Sequence, residues 1–396
     1  MLTSPPAIFL IFLRLGCTSF GGPIAHLGYL RTEFVERRKW LDDRAFADLV
    51  AICQFTPGPA SSKVGIALGA SRAGVAGAIA AWLGFTLPSA LILIAFGYGL
   101  ELMGTGTLHA GWLHGLKIAA VAVVTQAVWS MGRQLCPDRT RAWFAILAAL
   151  LVLSWHSALS QIAAIIAGAI AGWRLLPGAE LPSSSQFDFR VSRRLGWAAW
   201  ILFFVLLALL PALARLTGNH GIALFDSFYR AGSLVFGGGH VVLPMLRAEV
   251  VPTGWVADDE FLAGYGVAQA VPGPLFTFAA YLGTVAKGVP TGWPGGLLTL
   301  VAIFLPAFFL ALGPLPFWGA WRQHPVIRSC LAGVNAAVVG ILLAALYDPI
   351  FTTSVRGPLD FALALAAFGL LFFWRLSPLW VVALAALGGE LIAALY

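Results

Sequence analysis

Ser19-Phe20-Gly21-Gly22-Pro23 and Pro57-Gly58-Pro59 interrupt otherwise apolar sequence, and both interruptions return later as Phe236-Gly237-Gly238-Gly239 and Pro272-Gly273-Pro274. A Gly pair costs about 2 kcal/mol of helix propensity relative to alanine, and proline removes a donor and clashes with the preceding turn. Single prolines such as Pro88 and Pro306 read as tolerated kinks. A P-G-P triplet in both copies reads as a true break in the helix.

The recurrence is a duplication. At a shift of 216, residues 9–35 and 225–251 match at Phe9/Phe225, Arg14/Arg230, Gly16/Gly232, Phe20/Phe236, Gly21/Gly237, Gly22/Gly238, Arg31/Arg247 and Glu33/Glu249. At 215, Trp40/Trp255, Asp43/Asp258, Gln54/Gln269 and the two P-G-P triplets coincide; Pro88/Pro306 and Gly115/Gly333 pair at 218. Apolar composition alone produces chance Leu and Val matches, not Arg, Glu, Gln and Pro-Gly-Pro in register. The domains expected are a first repeat at 1–176, a polar loop and linking span at 177–221, and a second repeat at 222–396.

These repeats sit in lipid. The chain has 396 residues, 60% of them hydrophobic and 10% charged, and a mean hydropathy of +0.88. A soluble domain carries roughly 25% charged residues. Apolar runs such as 197–215 and 361–374 are near the length that crosses a ~30 Å hydrocarbon core. Residues 1–10 place no basic residue ahead of their apolar run and do not read as a cleaved signal peptide. The fold class expected is an all-α membrane protein.

Charge orients the repeats. Segment 31–44 holds five Lys/Arg and four acids, whereas its counterpart 247–260 holds one Arg and four acids. Basic loops stay on the cytoplasmic side, so the two segments face opposite sides and the repeats are inverted, with the extra span at 197–215 supplying the odd crossing. In this threading the broken segments of each half enter and return on one side, whether re-entrant or as pairs of short crossings. Full spans follow near 76–100, 111–133, 142–157, 159–173, 197–215, 291–312, 326–347, 357–374 and 378–395. The amino terminus lies inside and the carboxyl terminus outside. The net charge of +7 reflects this topology first and attraction for an anion second.

Function follows from the breaks. A break frees backbone groups that lipid cannot satisfy, so it belongs in packed protein or beside a wet cavity. The helix that restarts offers free N–H groups and the positive end of its dipole, a seat for an anion. Paired discontinuous helices in inverted repeats are where transporters hold substrate. Arg14 and Arg230 precede the two F-G-G phenylalanines by six residues, Lys63 follows the first P-G-P by a turn, and Lys117 lies within an apolar span. Charge inside a membrane is costly unless it meets a cavity or a partner; Arg14 and Arg230 have Glu33 and Glu249 as structural alternatives. Gln54, Gln269, Thr56, Ser61, Ser62 and Thr277 flank the breaks as hydrogen-bond donors. His26 and His240, out of register, serve packing or proton carriage.

The scattered cysteines and histidines form no C-x-x-C or H-E-x-x-H, and no Walker-type loop appears. That pattern points away from a disulfide framework, a metal site, an ATP-coupled pump or a redox enzyme. No cofactor and no catalytic residue is expected. Lipid and a small anion are the expected partners, nucleic acid is not, and a homodimer is left open.

At F-G-G-P-x-A-H (residues 20–26), Q-x-x-P-G-P (54–59), F-G-G-G-H (236–240) and the second Q-x-x-P-G-P (269–274), the sequence resembles the chromate ion transporter (CHR) family, two-domain long form. The resemblance covers nearly the whole chain. It implies export of chromate from the cytoplasm across the inner membrane, driven by the proton-motive force, with sulfate as a related anion. It carries substrate binding to Arg14, Phe20, Gly21, Gly22, Pro23, Gln54, Pro57, Gly58, Pro59, Lys63, Arg230, Phe236, Gly237, Gly238, Gly239, Pro272, Gly273 and Pro274; the flanking Ser61, Ser62 and Gln269 complete the candidate set. One charge crossing 100 mV is worth about 2.3 kcal/mol. A dianion leaving an inside-negative cell therefore gains roughly 4.6 kcal/mol, without nucleotide.

Overall fold

The computed structural model describes residues 4–19, 22–103, 111–155, 158–176, 191–235, 242–317, 324–376 and 378–395, and every extended regular element among them is helical. The first half runs α1 (Pro5–Thr18), α2 (Gly22–Arg31), α3 (Asp43–Phe55), α4 (Ala60–Met103), α5 (Gly111–Leu135), α6 (Arg139–Ser154) and α7 (Ala158–Leu175). A linking helix α8 (Arg193–Thr217) follows. The second half runs α9 (His220–Leu234), α10 (Val242–Val250), α11 (Asp258–Ala270), α12 (Phe278–Val285), α13 (Gly292–Leu312), α14 (Pro325–Ala345), α15 (Pro358–Phe372) and α16 (Pro378–Leu395).

The helix count differs between halves for a local reason. Helix α4 bends back on itself at Ala73 (φ −142°, ψ 27°) and Gly74 (φ 60°, ψ −149°), so residues 60–72 and 75–103 form two legs. The legs touch at glycine: a Cβ on Gly69 would stand 2.2 Å from Gly77 O. In the second half the same reversal is a longer turn between α12 and α13, and Gly283 packs against Gly295. The longer turn accounts for the change in repeat register from 215 at P-G-P to 218 at Pro88/Pro306.

The halves then exchange helices. Helix α5 of the first half packs on α15 and α16 of the second, and α14 of the second packs on α6 and α7 of the first. Glycine permits both approaches. A Cβ on Gly115 would meet Ala385 O at 2.0 Å, and one on Gly333 would meet Gly168 O at 2.0 Å. Lys117, buried within α5, forms an ion pair with Asp259 on α11, so its charge is answered across the repeat boundary.

Among the described residues, five stretches are long and apolar enough to cross a membrane: Ala60–Leu100, Gly111–Arg133, Arg193–Thr217, Gly292–Phe317 and Pro325–Ser354. The bend at Ala73-Gly74 divides the first of these. Along α8 the side chains of Trp197, Ile201, Phe204 and Leu209 point outward. Apolar surface of that extent requires lipid, and the chain is a multi-pass membrane protein. Helix α1, at 14 residues, is roughly 21 Å long at 1.5 Å per residue, short of a full hydrocarbon core.

Candidate functional site

In Pro57-Gly58-Pro59 and Pro272-Gly273-Pro274 the central glycine carries the triplet's one backbone N–H, because proline has none. Each of these N–H groups goes to the other half. Gly58 N donates to Val235 O at 2.5 Å, and Gly273 N donates to Ser19 O at 2.9 Å. Ser19 and Val235 are the residues immediately before the two F-G-G motifs, in register at 216, while the glycines are in register at 215. Each P-G-P turn therefore closes on the broken helix end of the opposite repeat, and the two crossings are equivalent under the duplication.

Only glycine fits both turns. Gly58 and Gly273 have φ of 97° and 103°, a region closed to most side chains. The walls are near as well. A Cβ on Gly58 would lie 3.3 Å from Gly232 O, and one on Gly273 would lie 2.8 Å from Ser89 Oγ. Ser89 follows Pro88, so the kink of α4 packs against the second P-G-P turn. The reciprocal contact is Thr56 Oγ1, which donates to Leu310 O at 3.2 Å, one turn beyond Pro306.

At the first crossing Lys63 is fully buried. Its Nζ donates to Thr56 O at 2.5 Å, to Thr56 Oγ1 at 2.8 Å and to Pro57 O at 2.7 Å. An ammonium has three N–H bonds; two go to carbonyls just past the end of α3 and the third to the Thr56 hydroxyl. The cation also suits the negative end of that helix dipole. The hydrogen bonds of Lys63 thus maintain the break. In the second half its register position is Phe278, and Thr277 Oγ1 donates to Pro274 O at 2.7 Å instead.

His26 ties the start of α2 to the second crossing. Its Nε2 lies 3.2 Å from Ser19 O, a carbonyl that can only accept, so Nε2 carries the proton. Nδ1 then accepts from Ser61 Oγ at 3.4 Å. Around the breaks, Ser19 Oγ, Ser62 Oγ, Thr86 Oγ1 and Gln269 Nε2 are buried and without a hydrogen-bond partner among the described residues. All four are donors, and an oxyanion is acceptor only.

Arg230 is held by carboxylates. Its Nε donates to Asp226 Oδ2 at 3.0 Å, and Nη1 and Nη2 donate to the two oxygens of Glu249 at 3.0 and 2.9 Å. Ser227 Oγ also donates to Glu249, at 2.8 Å. The structural alternative anticipated for Arg230 is what forms. Its repeat mate behaves differently: Glu33 accepts from Arg38 at 2.7 Å and lies 3.5 Å from Arg37, and Arg14 is exposed on α1 with no ion-pair partner among the described residues. Arg37 and Arg38, basic residues that the second repeat lacks at this segment, occupy the Glu33 carboxylate in place of Arg14.

Of the other expected site residues, Pro59, Ser61, Ser62 and Pro274 are buried, Pro57, Gln269 and Pro272 are half-buried, and Gln54 is exposed at the end of α3. Gly22 and Pro23 open α2. Phe20, Gly21, Phe236, Gly237, Gly238, Gly239 and His240 lie outside the described residues. Sequence reading passed over Val235, Asp226 and Ser89, and quoted Ser19 without giving it a role. A backbone carbonyl has no residue signature, and Asp226 has no counterpart in the first half, where Leu10 stands.

Two cavities elsewhere among the described residues suit a tetrahedral dianion poorly. One of about 450 Å³ between α5, α14 and α15 is walled by apolar side chains such as Val121, Leu343, Phe351 and Phe368. Another of about 380 Å³ is lined by His114, Arg356 and Asp360; the Asp360 carboxylate inside it accepts from His114 Nε2 at 3.0 Å and from Arg356 N at 2.9 Å.

Comparison with known proteins agrees with this duplicated architecture. The chain matches the family model described as chromate transporter twice, over residues 6–173 and 222–390. It is 32% identical over 405 aligned residues to the chromate transport protein of Pseudomonas aeruginosa, covering 98% of this chain and 92% of that one. It is 26% identical to the chromate transport protein of Cupriavidus metallidurans over 96% of this chain and 92% of the relative. An uncharacterized transporter of Bacillus subtilis, YwrA, is 35% identical over 31% of this chain and 67% of its own. No solved structure matches. The chain belongs to the chromate transporter family, in the long form that carries two family units.

Proposed function

We propose that this protein is a secondary transporter that exports chromate from the cytoplasm across the inner membrane, with the anion held where the two repeats cross. The observation that carries the reading is the reciprocal pair of backbone bonds, Gly58 to Val235 and Gly273 to Ser19. These bonds join the two discontinuous helix pairs, one from each repeat (1–176 and 222–396, linked by 177–221). Helix α4 restarts beside the first crossing with N–H groups that have no partner in their own helix, and Lys63 adds a positive charge. The buried donors Ser19, Ser62, Thr86 and Gln269 offer hydrogen bonds to a ligand that can only accept.

Inverted orientation of the repeats gives the crossings their use. Two equivalent helix ends facing opposite sides open alternately as one repeat rocks against the other. The membrane potential supplies roughly 4.6 kcal/mol for a dianion leaving across 100 mV, with the proton-motive force as the wider source. Expression in a chromate-sensitive bacterium tests the reading. Chromate resistance with lowered cell chromate is expected, and resistance should vanish in Gly58→Ala. Unchanged sensitivity and accumulation would reject chromate export. Sulfate has the same shape and charge, and competition by sulfate in inverted vesicles measures how far the site separates the two.

A further inference from the structure

Asp226, Arg230 and Glu249 form a cluster with two carboxylates and one guanidinium, one negative charge in excess. Arg230 is saturated, with Nε on Asp226 Oδ2 and the bidentate pair on Glu249. The other oxygen of Asp226, Oδ1, is buried with no hydrogen-bond partner among the described residues, in a residue only 5% exposed. A second buried acceptor stands beside the cluster. Gln161 of α7, 6% exposed, lines a cavity of about 20 Å³ with Arg230 and Glu249. Its Nε2 donates to Pro244 O at 3.3 Å, while its Oε1 has no partner. An unpaired buried carboxylate oxygen is costly, and the smallest ligand that relieves it is a proton.

The position of the cluster gives that proton a consequence. Arg230 precedes by five residues Val235, whose carbonyl receives Gly58 N, and Gly232 O lies 3.3 Å from where a Gly58 Cβ would be. Lys63 is on the far side of the same turn, bonded to Pro57 O. The first crossing is thus flanked by one positive charge and by a cluster whose net charge is negative. The other charged groups on the helices packed against α9 are Arg193 and Arg194 at the start of α8, Arg215 at its end, which acts on Asp226, and Arg247 on α10, which is bound to Asp258 at 2.8 Å; α13 has none.

We propose that Asp226 is a proton-binding site linked to anion occupancy of the first crossing. A proton added at Oδ1 leaves the Arg230 bond to Oδ2 in place and brings the cluster to neutrality, which removes repulsion against an incoming dianion. Linkage is reciprocal: protonation tightens anion binding, and anion binding draws a proton from solvent. The inference rests on the proposed anion site, and it sets the coupling. A proton that leaves with the dianion cuts the exported charge to one, so the electrical part of the proton-motive force drives export with half the energy that the bare dianion gains, while the pH gradient opposes it.

The test is proton uptake when chromate is added to the purified full-length protein in weakly buffered detergent at pH 7.5, corrected for chromate titration without protein. Bound chromate is counted separately by equilibrium dialysis. Wild type is expected to take up a measurable fraction of a proton, approaching one, per chromate bound. Asp226→Asn should bind chromate with uptake reduced at least tenfold, and Asp226→Glu should restore it. Absence of chromate binding by wild type would reject the anion site itself. Binding by wild type without proton uptake would overturn only the linkage, as would equal uptake in Asp226→Asn, and the wild-type measurement decides even if a variant does not fold.

Discussion

Arg14 and Arg230 occupy the same position in the two repeats, yet their surroundings divide their roles. Arg230 is bound between buried Asp226 and half-buried Glu249, whereas Arg14 is exposed on α1 with no ion-pair partner among the described residues. Arg14→Ala is therefore expected to lower transport at least tenfold with thermal stability in detergent within the range of wild type. Arg230→Ala should lower both, because it strands Asp226 and Glu249; removing one partner of a buried pair costs about 3 kcal/mol. Melting curves beside transport rates check the split, and equal destabilisation by the two substitutions would contradict it. Sequence spacing identified both arginines. Register also offered Glu33 and Glu249 as their partners, which holds for Arg230 and fails for Arg14, because Arg37 and Arg38 decide the first pairing through geometry alone. Lys63 was legible as a buried charge near a break, and its three bonds to Thr56 and Pro57 depend on a turn shape that sequence does not specify.

Among the elements, the long spans were the readable part. Apolar runs bounded by Gly, Pro and Arg placed α5, α6, α7, α8 and α13 to α16 within a few residues of their observed ends. The bend of α4 at Ala73-Gly74 was not readable as a reversal, because a single Gly in an apolar stretch is ordinary in membrane helices. The exchange of α5 and α14 between halves was equally hidden, although Gly115 and Gly333 had been noted as a pair. Their role is close approach: a side chain on either would enter a backbone carbonyl of the other half. Gly333→Ala is expected to destabilise the protein by about 1–3 kcal/mol, the usual range for overpacking, and to lower its melting temperature in detergent. Gly99→Ala, where a Cβ meets nothing within 4 Å, should leave stability unchanged. A Gly333→Ala protein as stable as wild type would mean that α14 does not approach α7 so closely.

At the scale of the whole molecule, the duplication could be read from sequence and the crossing could not. Register tells which residues are equivalent, but only the fold brings Gly58 to Val235 and Gly273 to Ser19. Loop charge predicts that the equivalent segments face opposite sides of the membrane. Single cysteines at Arg37 and Thr253, both exposed, test this in a background without Cys17, Cys53, Cys136 and Cys330. An impermeant thiol reagent applied to whole cells should label the Thr253 position and spare the Arg37 position; labelling of both from one side would refute inversion. The central claim, that the anion is held at the crossing of the two repeats, is tested most directly by a structure of the protein soaked with chromate, the chromium located by its anomalous signal. The account predicts the chromium beside Gly58 and the first turn of α4, within reach of Ser62 and a few ångströms from Lys63. Chromium in the His114–Arg356 cavity, or at any site away from both P-G-P turns, would contradict it.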